Sequence, residues 1–287
     1  MSVISAFTQS ALGDLKRLAF GPGVEPGSRK ATVIAISARK GGVGKTTTTV
    51  NLGVALAQNH GKRVLLVDMD AQGHVATSLS RDRLDRPGDT LSTVLLEKRR
   101  DLQEIVAPTA IDGLWTVASD TNLHETETLL SARIGKELCL RQALKLARTH
   151  FDIILIDCPP NLGTLTVSAL VAADKVLIPC DLSTLGLDGV DALFDTVETI
   201  QDSLNPTLSV LGLVRTRVDR RNLTMNAAIE STLSTRYAGH LMGSIIGISS
   251  SVPKAQLEGR SVLTSDPKSR GAEDHAALAT EVLGRLR

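Results

Sequence analysis

Two lysines five residues apart, with three glycines between them and a pair of threonines behind, have the chemistry to grip a polyphosphate. They lie in the run Arg39-Lys40-Gly41-Gly42-Val43-Gly44-Lys45-Thr46-Thr47. Glycine admits backbone conformations that turn several N–H groups toward one anion. A helix starting at the end of the loop would add its positive N-terminal end. In that setting Lys45 reaches the β- and γ-phosphates of a nucleotide, and the Thr46 hydroxyl ligates Mg²⁺. The common pattern G-x-x-x-x-G-K-[ST] fails at its first position, where Arg39 replaces glycine. What fits is K-G-G-x-G-K-[ST], with Lys40 as an extra cation on the near side of the loop.

Carboxylates at two other places would complete such a site. Asp68 and Asp70 follow the apolar run Val64-Leu65-Leu66-Val67, and two carboxylates beside a phosphate loop need a cation between them. Asp157 closes a second apolar run, Ile153-Ile154-Leu155-Ile156. An apolar strand ending in one aspartate is the arrangement that holds Mg²⁺ through a water. Pro159 and Pro160 then end the strand and lead into a rigid loop through Gly163.

These groups need a scaffold, and the hydrophobic pattern supplies one. The run Thr32-Val33-Ile34-Ala35-Ile36 reads as a strand entering the loop, and Val50, Leu52, Val54, Ala55 and Leu56 as a helix leaving it. From residue 30 to 205 strands alternate with helices. That predicts the α/β class: a doubly wound, mostly parallel sheet with helices on both faces. Ligands in such sheets sit beyond the carboxyl ends of the strands, where both aspartate clusters fall. Further strands are expected near Trp115, at Val176–Pro179 and at Leu208–Val214, and helices at Leu91–Lys98, 122–131, 136–148, Leu187–Leu204 and at the C-terminus. Residues 30–287 read as a single domain. Residues 1–29 precede it as a helix and linker: Val3, Ile4, Phe7, Ala11, Leu12, Leu15, Leu18 and Phe20 recur at helical spacing, with Asp14, Lys16 and Arg17 opposite, before Gly21-Pro22-Gly23-Val24-Glu25-Pro26-Gly27-Ser28. That helix either packs on its own domain or docks on a partner or dimer mate; a membrane-surface helix fits less well, because its polar face has few cations.

Composition narrows the function classes. A hydrophobic content of 42% is ample for a core, but aromatics at 2% leave it to Leu, Val, Ile and Ala. The six aromatic residues also leave few platforms for stacking bases, so duplex phosphate contacts fit better than single-strand reading. With a net charge of +1, polyanion binding must come from a local patch. Residues 151–204 carry nine acids against one base, whereas 205–287 carry eleven bases against seven acids. Cys139, Cys158 and Cys180 are widely spaced in apolar runs, which suits reduced buried thiols in a cytoplasmic protein. No apolar stretch approaches bilayer length.

The loop K-G-G-x-G-K-T, the segment Asp68-Met69-Asp70-Ala71-Gln72 and the run I-D-C-P-P-x-L-G resemble the ParA/MinD family of P-loop ATPases, whose phosphate loop is the deviant Walker A motif. The resemblance, closest to the ParA type, extends to the C-terminal stretch Gly259–Ala272. It implies ATP and Mg²⁺ as cofactors and a homodimer with ATP sandwiched between subunits. Lys40 would be the trans lysine reaching the partner's nucleotide, and Lys45 the cis one. Asp70 would position the attacking water, with Asp68 nearer Mg²⁺. Arg217, Asp219, Asp266 and Pro267 would flank the adenine. The family further implies slow ATP hydrolysis stimulated by a ParB-like or other adaptor, nonspecific binding of double-stranded DNA, and a nucleoid-associated location. This sequence departs from the family where DNA-binding arginines are usual: Ile248 and Ser251 stand there, and Lys254 replaces an acid. The DNA-binding residues are therefore sought at Arg220, Arg221, Lys254, Arg260, Lys268 and Arg270. The final helix has no basic amphipathic tail after it, so no membrane partner is expected. The alternatives are a MinD-like membrane-associated ATPase and a metabolic ATPase of the same fold.

Overall fold

The computed structural model describes residues 28–83, 90–97, 100–219 and 221–287; the helix expected at residues 3–20 and Arg220 lie outside these residues. Eight strands form one sheet: β1 (Thr32–Ile36), β2 (Val64–Asp68), β3 (Ala107–Pro108), β4 (Leu114–Val117), β5 (Ile153–Asp157), β6 (Lys175–Asp181), β7 (Ser209–Val218) and β8 (Leu241–Gly247). Their order across the sheet is β3-β4-β2-β5-β1-β6-β7-β8. Every pairing is parallel except that of β3 with β4. The longer helices are α1 (Lys45–His60), α2 (Leu123–Ser131), α3 (Thr164–Ala172), α4 (Thr184–Ser203), α5 (Leu223–Arg236), α6 (Ser251–Leu257) and α7 (Arg270–Arg285).

Strand side chains alternate between two faces, and both faces are covered, so the central strands are apolar throughout. Val33 and Ala35 of β1 join Leu65, Val67, Ile154 and Ile156 in one core beneath α2, α3, α4 and α5. Ile34 and Ile36 join Leu66 and Leu155 in the other, beneath α1, α6 and α7. The sheet is doubly wound, as the pattern predicts. Asp68 and Asp157 are register partners at the ends of β2 and β5, beside the exit of β1.

Several boundaries differ from the sequence reading, each for a reason outside its own segment. The expected helix at 136–148 is broken into Cys139–Ala143 flanked by short 3₁₀ turns. Asp101 accepts the amides of Leu146 (2.7 Å) and Ala147 (3.3 Å), which draws them out of a helical ladder. Helix α4 begins at Thr184, before Leu187, because the Ser183 side chain accepts the Gly186 amide and caps it. Strand β6 runs through Pro179 to Asp181; its pairing with β1 ends at Leu177, so the missing proline N–H costs no ladder bond there. Strand β7 continues past Val214 to Val218, and β8 follows at the sheet edge. Two carboxylates from α7 occupy amides of that edge strand. Glu281 takes Gly243 (2.9 Å) and Ser244 (2.7 Å), and Asp274 takes Gly247 (2.9 Å).

Helix α7 also buries His275 completely. Its Nδ1 lies 2.7 Å from the Gly271 carbonyl, and its Nε2 has no hydrogen-bond partner among the described residues. Burial lowers its pKa from the ordinary histidine value. The unfolded chain therefore takes up this proton at a higher pH than the folded one. The stability tied to the neutral ring is intact above about pH 6.5 and is lost as pH falls below it. Wild type should lose up to about 1.4 kcal/mol per pH unit relative to His275→Leu between pH 6.5 and 5. Urea midpoints of both proteins at several pH values check this; parallel curves would refute it.

Candidate functional site

The phosphate loop takes the shape its glycines permit. Gly42 (φ 75°) and Gly44 (φ 91°) adopt left-handed conformations, and the space beyond Gly41 and Gly44 is open to a ligand. Helix α1 begins at Lys45, so its free amides face the same space. The Lys45 ammonium folds back over the loop, 3.3 Å from the Lys40 carbonyl. Burial lowers its pKa, against the attraction of Asp157.

Beneath the loop lies a buried carboxylate pair. Asp157 accepts hydrogen bonds from the hydroxyls of Thr46 (2.6 Å) and Thr49 (3.0 Å). Burial pushes its carboxyl up to about 6, with the two hydroxyls opposing the shift. Asp68, also fully buried, uses both oxygens on backbone amides: Asp70 at 3.1 Å and Val75 at 3.0 Å. Burial first and then Asp157 raise its pKa well above the usual carboxylate range. In this geometry Asp68 ties down both ends of the segment that carries Asp70. Asp70, Gln72 and His74 line a cavity of about 710 Å³ together with Lys45, Thr46 and Pro160.

The C-terminal part of the chain grips the loop from the other side. The Thr216 hydroxyl donates to the Val43 carbonyl (2.7 Å), and Arg217 donates to the Gly42 carbonyl (2.7 Å). Arg217 has φ 53°, a conformation sparsely populated by side-chain-bearing residues, at the point where β7 meets the loop. Gln256 donates to the Thr47 hydroxyl (3.0 Å), and Asn51 of α1 accepts from Ser261 and Val262. Thr47, Thr216, Arg217, Ile248, Pro253 and Gln256 line a slot of about 340 Å³. It adjoins the phosphate cavity along Gly42, Gly44 and Thr47. Asp266 and Pro267, expected near the adenine, are not among the residues lining this slot. They are exposed, and the Asp266 carbonyl accepts from Ser269, the cap of α7. Pro253 and Ile248 stand at the slot instead.

Lys40 and Asp219 belong to a third, polar cavity, shared with Asp181 and Arg217. The Lys40 ammonium donates to Asp181 (2.5 Å) and Ser183 (3.0 Å), so its charge is held on its own subunit. Arg221 is exposed and paired with Asp219 at 2.8 Å. Lys254, Arg260, Lys268 and Arg270 are all exposed, on the stretch from α6 to the start of α7.

Sequence reasoning missed Thr49, Thr216, Gln256 and the Asp181–Ser183 pair. Only Thr49 left a signal: it stands three residues after Thr46, on the same face of a helix.

The arrangement suits a divalent cation bound with a polyphosphate. Among the described residues no group of three His, Cys, Asp or Glu side chains is placed to hold a metal. Mg²⁺ typically takes one or two protein oxygens and completes its octahedron with phosphate and water. Thr46 and Asp157 fit that demand. The buried Asp157 charge should therefore cost the ligand-free protein stability. Its folded pKa is raised, so the cost grows as pH rises from about 4 through 6 and is full above that. Asp157→Asn should melt a few degrees above wild type at pH 7.5 without ligand, with the gap narrowing through pH 5 and closing near pH 4, and should lose Mg²⁺-dependent nucleotide binding. Thermal melts and calorimetric titration test both halves; a lower melting temperature at pH 7.5 would overturn the first.

Known proteins share this architecture. The family model described as an AAA domain matches residues 31–210. The chain is 37% identical over 257 residues to the chromosome partitioning protein ParA of Caulobacter vibrioides, covering 89% of this chain and 95% of that one. It is 36% identical over 250 residues to the sporulation initiation inhibitor protein Soj of Bacillus subtilis, covering 87% and 97%. Cobyrinic acid a,c-diamide synthase of Mycobacterium smegmatis, solved with bound ADP and magnesium, superposes with a TM-score of 0.75 at 31% identity, over 89% of this chain and 95% of that one. The chain belongs to the ParA/MinD family of P-loop ATPases.

Proposed function

We propose that this protein is a ParA-type positioning ATPase. Two copies close on Mg-ATP, the dimer binds duplex DNA without sequence preference, and an adaptor on the cargo triggers hydrolysis and release. The observation that carries this reading is Lys40, a second lysine beside a complete phosphate loop, in a chain 37% identical to a chromosome partitioning protein.

The loop amides and Lys45 hold the phosphates, and the slot beside Thr216 and Pro253 receives the base. Thr46 and Asp157 hold Mg²⁺, which when bound neutralises charge on the phosphate oxygens. Asp70, at the cavity wall on a segment anchored by Asp68, orients the attacking water. Lys40 leaves Asp181 and Ser183 to reach the second subunit's nucleotide, so its present contacts favour the monomer. Turnover stays slow until the adaptor binds. The exposed cations at Lys254, Arg260, Lys268 and Arg270 are doubled in a dimer and meet phosphates, and each phosphate neutralised releases counterions. The protein works in the cytoplasm, on the nucleoid.

The M. smegmatis likeness supports a second reading, an ATP-dependent synthase, which gives Lys40 no role. ATP turnover stimulated by cobyrinic acid would favour it.

Three measurements test the proposal. Lys40→Ala should bind ATP yet stay monomeric by light scattering with Mg-ATP, whereas Asp70→Ala should form a stable dimer. A dimeric Lys40→Ala protein would remove the trans role. Asp70→Ala should lose phosphate release about 100-fold or more while retaining nucleotide; unchanged release would dismiss it as the water-positioning group. The Asp70→Ala ATP dimer should retard random duplex DNA at low salt but not above physiological salt, and Arg260→Glu or Arg270→Glu should weaken this with ATP binding intact. Retardation indifferent to salt, or absent at low salt, would mean the protein tracks another surface.

A further inference from the structure

Away from the nucleotide, a groove of about 380 Å³ runs between the helix Leu91–Leu96 and the segment that follows α2. Its floor is apolar, with Leu130, Leu138 and Ala143, and its lining also holds Glu97, Arg100 and Arg133, the last donating to the Leu96 carbonyl (2.6 Å). Three large apolar side chains stand exposed along α2 and the segment after it: Leu129 (50%) on α2, Ile134 (106%) in the groove lining, and Leu146 (43%) farther on. The only others of that kind among the described residues, Ile248 and Leu257, border the nucleotide cavities. An exposed apolar cluster around a groove marks a surface that something covers.

We propose that the chain's own residues 3–20 dock in this groove. The first argument is pattern. Val3, Phe7, Ala11, Leu12, Leu15 and Leu18 recur at helical spacing and ask for one apolar partner surface. The second is where the described chain begins. Arg29 donates to the Thr149 carbonyl (3.2 Å), Ala31 donates to the Arg148 carbonyl (2.8 Å), and Arg29 pairs with Asp152. The chain therefore enters the domain at the end of the very segment that forms the groove wall. Thr149 lies six residues beyond Ala143, no more than about 20 Å even along a fully extended path.

The third argument is reach and concentration. Residues 21–28, rich in glycine and proline, span up to about 26 Å when extended, enough to bridge that distance. A tether this short gives a local concentration of order millimolar, so even a weak intramolecular contact outcompetes a partner free in solution.

The groove is one helix away from the loop after β5. Glu127 of α2 accepts the Leu165 amide (3.3 Å) at the start of α3, and its carboxylate fills the space that a side chain at position 163 would need. The docked segment thus rests on the element that braces the Pro160–Gly163 turn.

Hydrogen exchange on the full chain tests the docking without reference to nucleotide. Residues 5–19 and 129–143 should both exchange at least about 10-fold slower than an unstructured chain. Ile134→Asp, at an exposed position the fold tolerates, should release residues 5–19. Leu12→Asp with Leu15→Asp should speed exchange at 132–138 relative to wild type, with amides of β1 and β5 unchanged in both. Free-chain exchange of residues 5–19 in wild type would overturn the proposal, as would protection that survives Ile134→Asp. Protection that appears only on raising protein concentration about fiftyfold would assign the groove to a second copy instead.

Discussion

The structure turns on a carboxylate buried where no cation of the protein fully compensates it. Asp157 is 0% exposed, held by two threonine hydroxyls, and stands in register with Asp68, which is as deeply buried. Such a charge is costly in a low-dielectric interior unless it is bonded and paired. The two threonines of α1 provide the bonds, and Lys45 above them provides a partial pair. Much of the surrounding architecture can be read as fixing this cluster. Parallel strands β5 and β2 end together, helix α1 starts directly over them, and the loop between β1 and α1 closes the top. A site built this way has its strongest reason to bind a divalent cation and a polyphosphate together.

The two buried aspartates do different work despite equal depth. Asp68 spends its lone pairs on the amides of Asp70 and Val75, so it acts on the shape of a loop. Asp157 spends its own on hydroxyls that can turn toward a metal. A sequence shows both as strand-terminal aspartates; the difference lies in which donors lie within reach.

This sets what was legible beforehand. The glycine loop, the two apolar strands ending in aspartate and the alternation of elements are local patterns, and the sheet and phosphate site follow from them. The helix broken after Ala143 was hidden because its cause, Asp101, lies more than forty residues upstream. Strand β8 was hidden because Leu241-Met242-Gly243-Ser244-Ile245-Ile246-Gly247 neither alternates cleanly nor runs apolar, and part of its amide satisfaction comes from Glu281 and Asp274 on α7. Asp266 and Pro267 form a turn whose tie to the fold, the Asp266 carbonyl accepting from the Ser269 cap of α7, shows only once that helix is seated.

The matched family domain ends at residue 210, yet the grip on the loop comes from beyond it. Thr216, Arg217 and Gln256 hold Val43, Gly42 and Thr47, and Ser261 and Val262 hold α1 through Asn51. The N-terminal part thus supplies the phosphate chemistry and the C-terminal part its rigidity and the slot. Ile248 sits where these meet, lining both the slot and the cavity that holds Lys40, and it is 61% exposed. Isoleucine leaves Lys40 and Arg217 as the cations of that cavity, with Asp181 and Asp219 facing them. Ile248 thus gives the mouth of both cavities an apolar lip, while exposed cations lie farther along the chain, from Lys254 to Arg270.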